Sequence, residues 1–295
     1  MWCSGWHLAS AVSNNGGLGL IGAGSMHPEV LREHIQKTKL ATTKPFGVNV
    51  PLFYPELDTI MNIIVEEKVP IIFTSAGSPK KYTSWLKEHG ILVAHVIASS
   101  AFALKCEEAG VDAIVAEGFE AGGHNGKEET TTMTLIPAVR RVTSLPLLAA
   151  GGIGSGEAIL AAMALGADGV QIGSRFAISE ESSAHPDFKK LVTGLTEGDT
   201  KLALKKIGAV RLIKNEFFQE VNKLELEGAT PDALRILLGR GRAKKGMFEG
   251  DLVLGELEIG QVASIIDEVL PVETIMNNLI NEYRLAKERI DNFKM

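Results

Sequence analysis

The chain has 295 residues, with 30 Lys and Arg against 36 Asp and Glu, a formal charge of −6. A mildly acidic chain offers no global field for nucleic acid or an anionic membrane. Apolar residues make up 45% and charged residues 22%, which excludes disorder as the main state, and two cysteines, Cys3 and Cys106, exclude a disulfide scaffold and a Cys-rich zinc site.

Residues 1–28 carry no charge, but six glycines with Asn, Ser and His break them too often to span a bilayer. They also lack the basic start of a secretory signal, so a cytoplasmic location is expected. From there seven short apolar runs recur. They cover 18–24 (LGLIGAG), 46–51 (FGVNVP), 71–77 (IIFTSAG), 92–98 (LVAHVIA), 113–118 (AIVAEG), 147–153 (LLAAGGI) and 169–176 (GVQIGSRF). Nearly continuous apolarity marks parallel strands buried on both faces. Helical patterns fill the gaps, over 27–38, 56–68, 80–89, 101–109, 135–141 and 156–165. Strand–helix alternation argues an α/β protein with a parallel sheet.

A doubly wound sheet and a TIM-type (β/α)8 barrel compete. Polar and glycine residues gather at the C-terminal ends of most strands, which favours the barrel. The count of seven is one short. The chain opens on Met1-Trp2-Cys3-Ser4-Gly5-Trp6 and reads as starting in the loop after a first strand it does not carry. Residues 1–176 are expected to form the barrel. Residues 177–295 read as a mainly helical extension or lid, with helices over 202–206, 217–227, 232–238, 256–269 and 272–293. The last helices are expected to pack back on the barrel.

Three strand ends carry chemistry. Glu117-Gly118-Phe119-Glu120-Ala121-Gly122-Gly123-His124-Asn125-Gly126 follows the fifth run. A lone histidine in such a turn is most often solvent-facing. Here the strand-end position and flanking glycines point to function, with His124 suited to proton transfer near neutrality. The pairs Gly151-Gly152 and Gly173-Ser174 close the last two strands, where barrels commonly hold a phosphate. Asn49 and Ser75 end earlier strands as weaker polar candidates. A basic cluster at 240–245 reads as a solvated face or as a contact for a phosphate or an acidic protein. The other histidines lack partners at metal spacing, so no catalytic metal is expected. The residues themselves leave two readings open: an enzyme using His124, or a non-catalytic barrel that binds a phosphorylated metabolite.

At EGFEAGGHNGKEETTTMTL the chain resembles the nitronate monooxygenase (2-nitropropane dioxygenase) superfamily. The resemblance continues through AVSNNGGLGLIGAG, KPFGVNV, TSAGSP, LLAAGGI, ADGVQIGSRF, SSAHPDFK, AVRLIKN and IGQVA. EGFEAGGH, the Thr-rich tract, SAHPDFK and AVRLIKN look closer to the FMN-dependent enoyl-acyl carrier protein reductase II branch. The resemblance implies an FMN oxidoreductase with His124 as its acid/base. In the reductase branch, NAD(P)H is co-substrate and an enoyl thioester, carried by acyl carrier protein, is reduced. In the monooxygenase branch an alkyl nitronate is oxidised with oxygen. It also implies flavin contacts at Met1, Asn49, Ser75, Gly122, Gly123, Gly151, Gly152, Gln171, Gly173, Ser174 and Gln261. Met1 matches the last residue of the loop that ends the family's first strand. No nucleic-acid or membrane partner is expected, and a homodimer is.

Overall fold

The computed structural model describes residues 2–293, so the Met1 assignment lies outside the described residues. Helix α1 (Trp6–Asn14) precedes β1 (Gly19–Gly22), α2 (Pro28–Ala41), β2 (Phe46–Pro51), α3 (Leu57–Glu66) and β3 (Ile71–Ser75). Next come α4 (Thr83–Glu88), β4 (Leu92–Ile97), α5 (Ser100–Ala109), β5 (Ala113–Glu117), β6 (Gly123–His124) and α6 (Thr132–Arg140). Then follow β7 (Leu147–Ala150), α7 (Gly156–Ala164), β8 (Gly169–Gln171), α8 (Ser174–Ala177) and α9 (Pro186–Val192). The chain continues with β9 (Thr200–Ala203), β10 (Val210–Ile213), α10 (Glu216–Leu226), α11 (Pro231–Leu238) and α12 (Val272–Asp291).

Seven parallel strands pair in the order β1-β2-β3-β4-β5-β7-β8 and curl into an open TIM-like barrel, with β1 and β8 at its edges. All seven expected strands are present, most of them shorter at the C-terminal end. There the glycines turn the chain away, as Gly151 and Gly152 do with positive φ after β7. Alternation along each strand sorts the side chains. Ile21, Val48, Val50, Ile72, Val93, Ile114 and Ala149 face the helices and are fully buried. Each contributes about 1–3 kcal/mol of burial free energy. Phe73, Ala94, Val115 and Ala150 point inward and fill the barrel.

Local signals place the helices. Pro28 occupies the first turn of α2, and the Ser155 hydroxyl caps α7 by accepting from Ala158 N at 3.3 Å. Helix α12 packs beside α7 and α1. Its Glu282 carboxylate accepts from Gly156 N at 2.8 Å, and Val272, Ile275 and Leu279 bury with Leu8 and Phe176. Among the described residues no helix is long and apolar enough to cross a membrane.

Two expected helices of the extension are absent. Residues 200–203 form β9, and residues 256–269 carry only a bridge at Glu258 and a short 3₁₀ turn, Gln261–Ile265. Five residues are too few for periodicity to separate helix from strand. Here the buried strand Val210–Ile213 supplies the antiparallel partner that makes 200–203 a strand.

Candidate active site

The chain between β5 and α6 carries the glycine-rich loop, and a second sheet holds it. Strand β6 pairs antiparallel with β10, Val210 opposite His124 and Arg211 opposite Gly123. The backbone of His124 is therefore a sheet residue, fixed against a strand far away in sequence. Asn125 continues the lock: its N–H donates to Ala209 O at 2.8 Å, and its Nδ2 donates to Ala121 O at 2.9 Å and Gly123 O at 3.0 Å. Arg211, 2% exposed, donates to Phe119 O from Nε at 3.2 Å and Nη2 at 2.7 Å, and its guanidinium lies 4.6 Å over the Phe119 ring. Glu120 accepts from Thr132 N at 3.0 Å and ties the loop to the start of α6.

A third piece comes from the segment after α11. Glu120 O accepts from Gln261 N at 2.9 Å, and Gly260 N donates to Ser174 Oγ at 3.0 Å. A β-carbon on Gly122 would stand 2.5 Å from Gly260 N, so only glycine lets this segment lie against the loop.

Two cavities result. One, of about 240 Å³, is lined by Gly122, Gly151, Gly152, Gln171, Gly173 and Ser174. The other, of about 430 Å³, is lined by Asn49, Ser75, Gly122, Gly123, His124 and Gln171. Glu117, Gly122, Gln171 and Glu258 line both, so the two share a wall. The structure thus brings together every described site candidate except Gln261. That side chain is exposed and lines neither cavity, although its backbone N–H braces the loop. The imidazole of His124 is exposed and 6.3 Å from the Phe53 ring across the mouth. A larger, apolar cavity of about 590 Å³ lies between the edge strands and α1, α7 and α12; it shares Ser4, Leu8, Gln171, Ile172 and Phe176 with the 240 Å³ cavity, and His124 is not among its lining residues.

Asn49, Ser75, Glu117 and Gln171 share the inward-facing parity of β2, β3, β5 and β8, through Asn49↔Phe73, Glu117↔Ala150 and Ala150↔Gln171. They make a polar rim above the apolar barrel filling. Gln171 Oε1 is buried with no hydrogen-bond partner. Burial pushes the Glu117 carboxyl up to about 7. His95 also borders the larger of these two cavities, but it is a buried structural imidazole. Its Nδ1 is 2.7 Å from Thr74 Oγ1, and burial lowers it to about 4, so it is neutral.

Sequence reasoning passed over Glu117, Glu258, Phe53 and Arg211 as site residues. Glu117 had a usable signal, the same parity as Ala113 and Val115 on one strand. Glu258 and Arg211 had none, since only tertiary contact brings them to the loop. Three of the four basic side chains of the cluster 240–245 are paired within the chain. Arg242 donates to Leu237, Leu238 and Leu254 carbonyls, Lys244 pairs with Glu249 at 3.1 Å and Lys245 with Asp251 at 2.8 Å.

A family model described as nitronate monooxygenase matches residues 1–62 and 56–282. The chain belongs to this family. A probable nitronate monooxygenase of Staphylococcus aureus is 31% identical over 93% of this chain and 90% of its own length. Among solved structures, FabK from Thermotoga maritima superposes with a TM-score of 0.95 at 39% identity, over 99% of this chain and 93% of that one. Nitroalkane oxidase from Streptomyces ansochromogenes superposes at 0.84 and 26% identity, over 98% and 94%. The protein is accordingly an oxidoreductase of the nitronate monooxygenase and FabK type.

Proposed function

We propose that the protein is an FMN-dependent, NAD(P)H-using reductase of enoyl thioesters, with His124 as its proton-transfer group. The observation that carries this reading is the single connected site, in which two glycine loops and one anchored histidine share a cavity wall. The residues present fit the cofactor. A β-carbon at Gly173 would meet nothing within 4 Å, which leaves backbone open to a phosphate. The orphaned Gln171 Oε1 awaits an N–H donor.

Backbone N–H groups around Gly151-Gly152 and Gly173-Ser174 would hold the phosphate. Asn49, Ser75 and Gln171 would face the ring edges, with Gly122 and Gly123 at van der Waals approach. Bound FMN supplies two-electron transfer between the nicotinamide and the substrate. His124 delivers a proton to the carbon next to the thioester carbonyl, so hydride and proton together saturate one C=C bond. The sheet pairing of β6 fixes where that proton is offered, with the Phe53 ring 6.3 Å away across the mouth. The higher identity and closer superposition with FabK than with nitroalkane oxidase support the reductase branch.

The test is anaerobic. Protein loaded with FMN should lose its flavin absorbance on adding NADPH or NADH, and crotonyl thioester should restore it. His124→Asn should keep FMN and lower thioester turnover by about 10²–10⁴-fold. Flavin that stays oxidised with both nicotinamides, and is reduced only by an alkyl nitronate, would transfer the protein to the monooxygenase branch.

A further inference from the structure

Glu117 has no role in the chemistry above, yet it ends β5 on the inner face and lines both cavities. Its strand neighbour in register is Ala150, whose small side chain leaves open the space between Glu117 and Gln171 on the next strand. Among the described residues neither satisfies the other: no hydrogen bond reaches the Glu117 carboxyl, and Gln171 Oε1 is orphaned. The neighbouring acid differs. Glu120, three residues on, is taken up by Thr132.

Among the described residues no lysine or arginine lines either cavity. The titratable groups around Glu117 are Cys3, Glu120 and Glu258 on the phosphate side, and His95, His124 and Glu258 on the other. None offers a fixed cation to a carboxylate, and a ligand phosphate would bring about −1.5 to −2 further charge. A neutral carboxylic acid suits this place, as one O–H donor beside the Gln171 acceptor. A donor and an acceptor that face one space across Ala150 match a –CO–NH– edge of a planar heterocycle.

We propose that Glu117 is a cofactor-recognising residue, donating its carboxyl proton to a ring carbonyl of the bound flavin while Gln171 Oε1 accepts from the adjacent ring N–H. This rests on the FMN reading above and adds to it a pH-dependent grip on the cofactor. The sign follows from the protonated form being the binding form. Removal from water already holds the carboxyl at about 7. The affinity is therefore full below that pH and falls as pH rises above it.

The test is the dissociation constant of FMN, read by quenching of its fluorescence from about pH 6 to about pH 9, for wild type, Glu117→Gln and Glu117→Leu. The wild-type constant should rise by up to about tenfold per pH unit above neutrality. Glu117→Gln, which donates without titrating, should bind as wild type does at low pH and show none of this rise. Glu117→Leu should bind at least about tenfold more weakly at every pH. Circular dichroism and melting confirm that each variant is folded. Glu117→Leu binding as tightly as Glu117→Gln would overturn the donor role, as would a wild-type profile parallel to that of Glu117→Gln. Wild type that binds no FMN at any pH would instead overturn the flavin reading itself, and the proposal with it.

Discussion

Two glycine substitutions separate what the fold needs from what the ligand needs. Gly151 has φ +83°, and a β-carbon there would sit 2.5 Å from Gly118 O. That oxygen has little freedom to move, because Gly118 N is tied to Ala150 O at 2.8 Å. Gly151→Ala therefore meets a left-handed backbone cost of about 1–2 kcal/mol and an overlap cost of about 1–3 kcal/mol. The sum, about 2–5 kcal/mol, lowers the melting temperature of a chain of this length by roughly 3–8 °C in the apoprotein. Gly173 is the opposite case. Its φ is −99°, and a β-carbon would touch no other residue. Gly173→Ala should melt at or slightly above the wild-type temperature, since alanine narrows the unfolded ensemble. Gly173 lines the 240 Å³ cavity, however, where we propose that the phosphate binds, so the added methyl group would compete for that space. Losing one amide contact to a charged group, at about 1.5–3 kcal/mol, weakens FMN binding roughly ten- to hundredfold. Calorimetry of the apoproteins and fluorescence titration with FMN read the two effects apart. Gly173→Ala binding FMN within about twofold of wild type would refute the phosphate placement. Gly151→Ala melting with wild type would refute the close-packing argument.

Arg211→Met should loosen the loop that carries His124. It removes two hydrogen bonds to Phe119 O and the stacking on that ring, partly offset by relief of the buried charge. A net loss of about 2 kcal/mol is expected in urea unfolding, with the Phe119 carbonyl left unpaired. Glu256→Gln should alter the pH dependence of stability. Burial and the neighbouring Glu258 hold the Glu256 carboxyl well above the usual carboxylate range. The folded state keeps a proton that the unfolded chain has released, so wild-type stability falls as pH rises above about 4.5 and levels off beyond the raised value. The variant should gain on wild type across that window in melts at successive pH. A constant difference between the two would count against it.

Much of the architecture was legible in the residues alone. Seven nearly continuous apolar runs announced seven parallel strands, because a strand covered on both faces has no polar parity to show. Glycines at strand ends announced tight turns, and the strand-end position of His124 marked it as a site residue before any contact was known. Short-range periodicity also gave α10, α11 and α12 within a residue or two. What failed was short or depended on distant partners. β9 is four residues, and only its ladder to β10 decides its state. The same small sheet fixes His124, joining residues 123–124 to 210–211 across some eighty positions of sequence. Glu117 and Gln171 were each visible as strand ends. That they face one space across Ala150 is a matter of register, which only the assembled sheet sets. Glu258 reaches the site because Gly122 lets the segment at 259–260 lie against the loop, a contact between backbones that no side-chain pattern records. Sequence thus determined the strands and the turns, and nominated His124. Tertiary pairing decided which acids and amides surround it, since burial and charge depend on neighbours far along the chain.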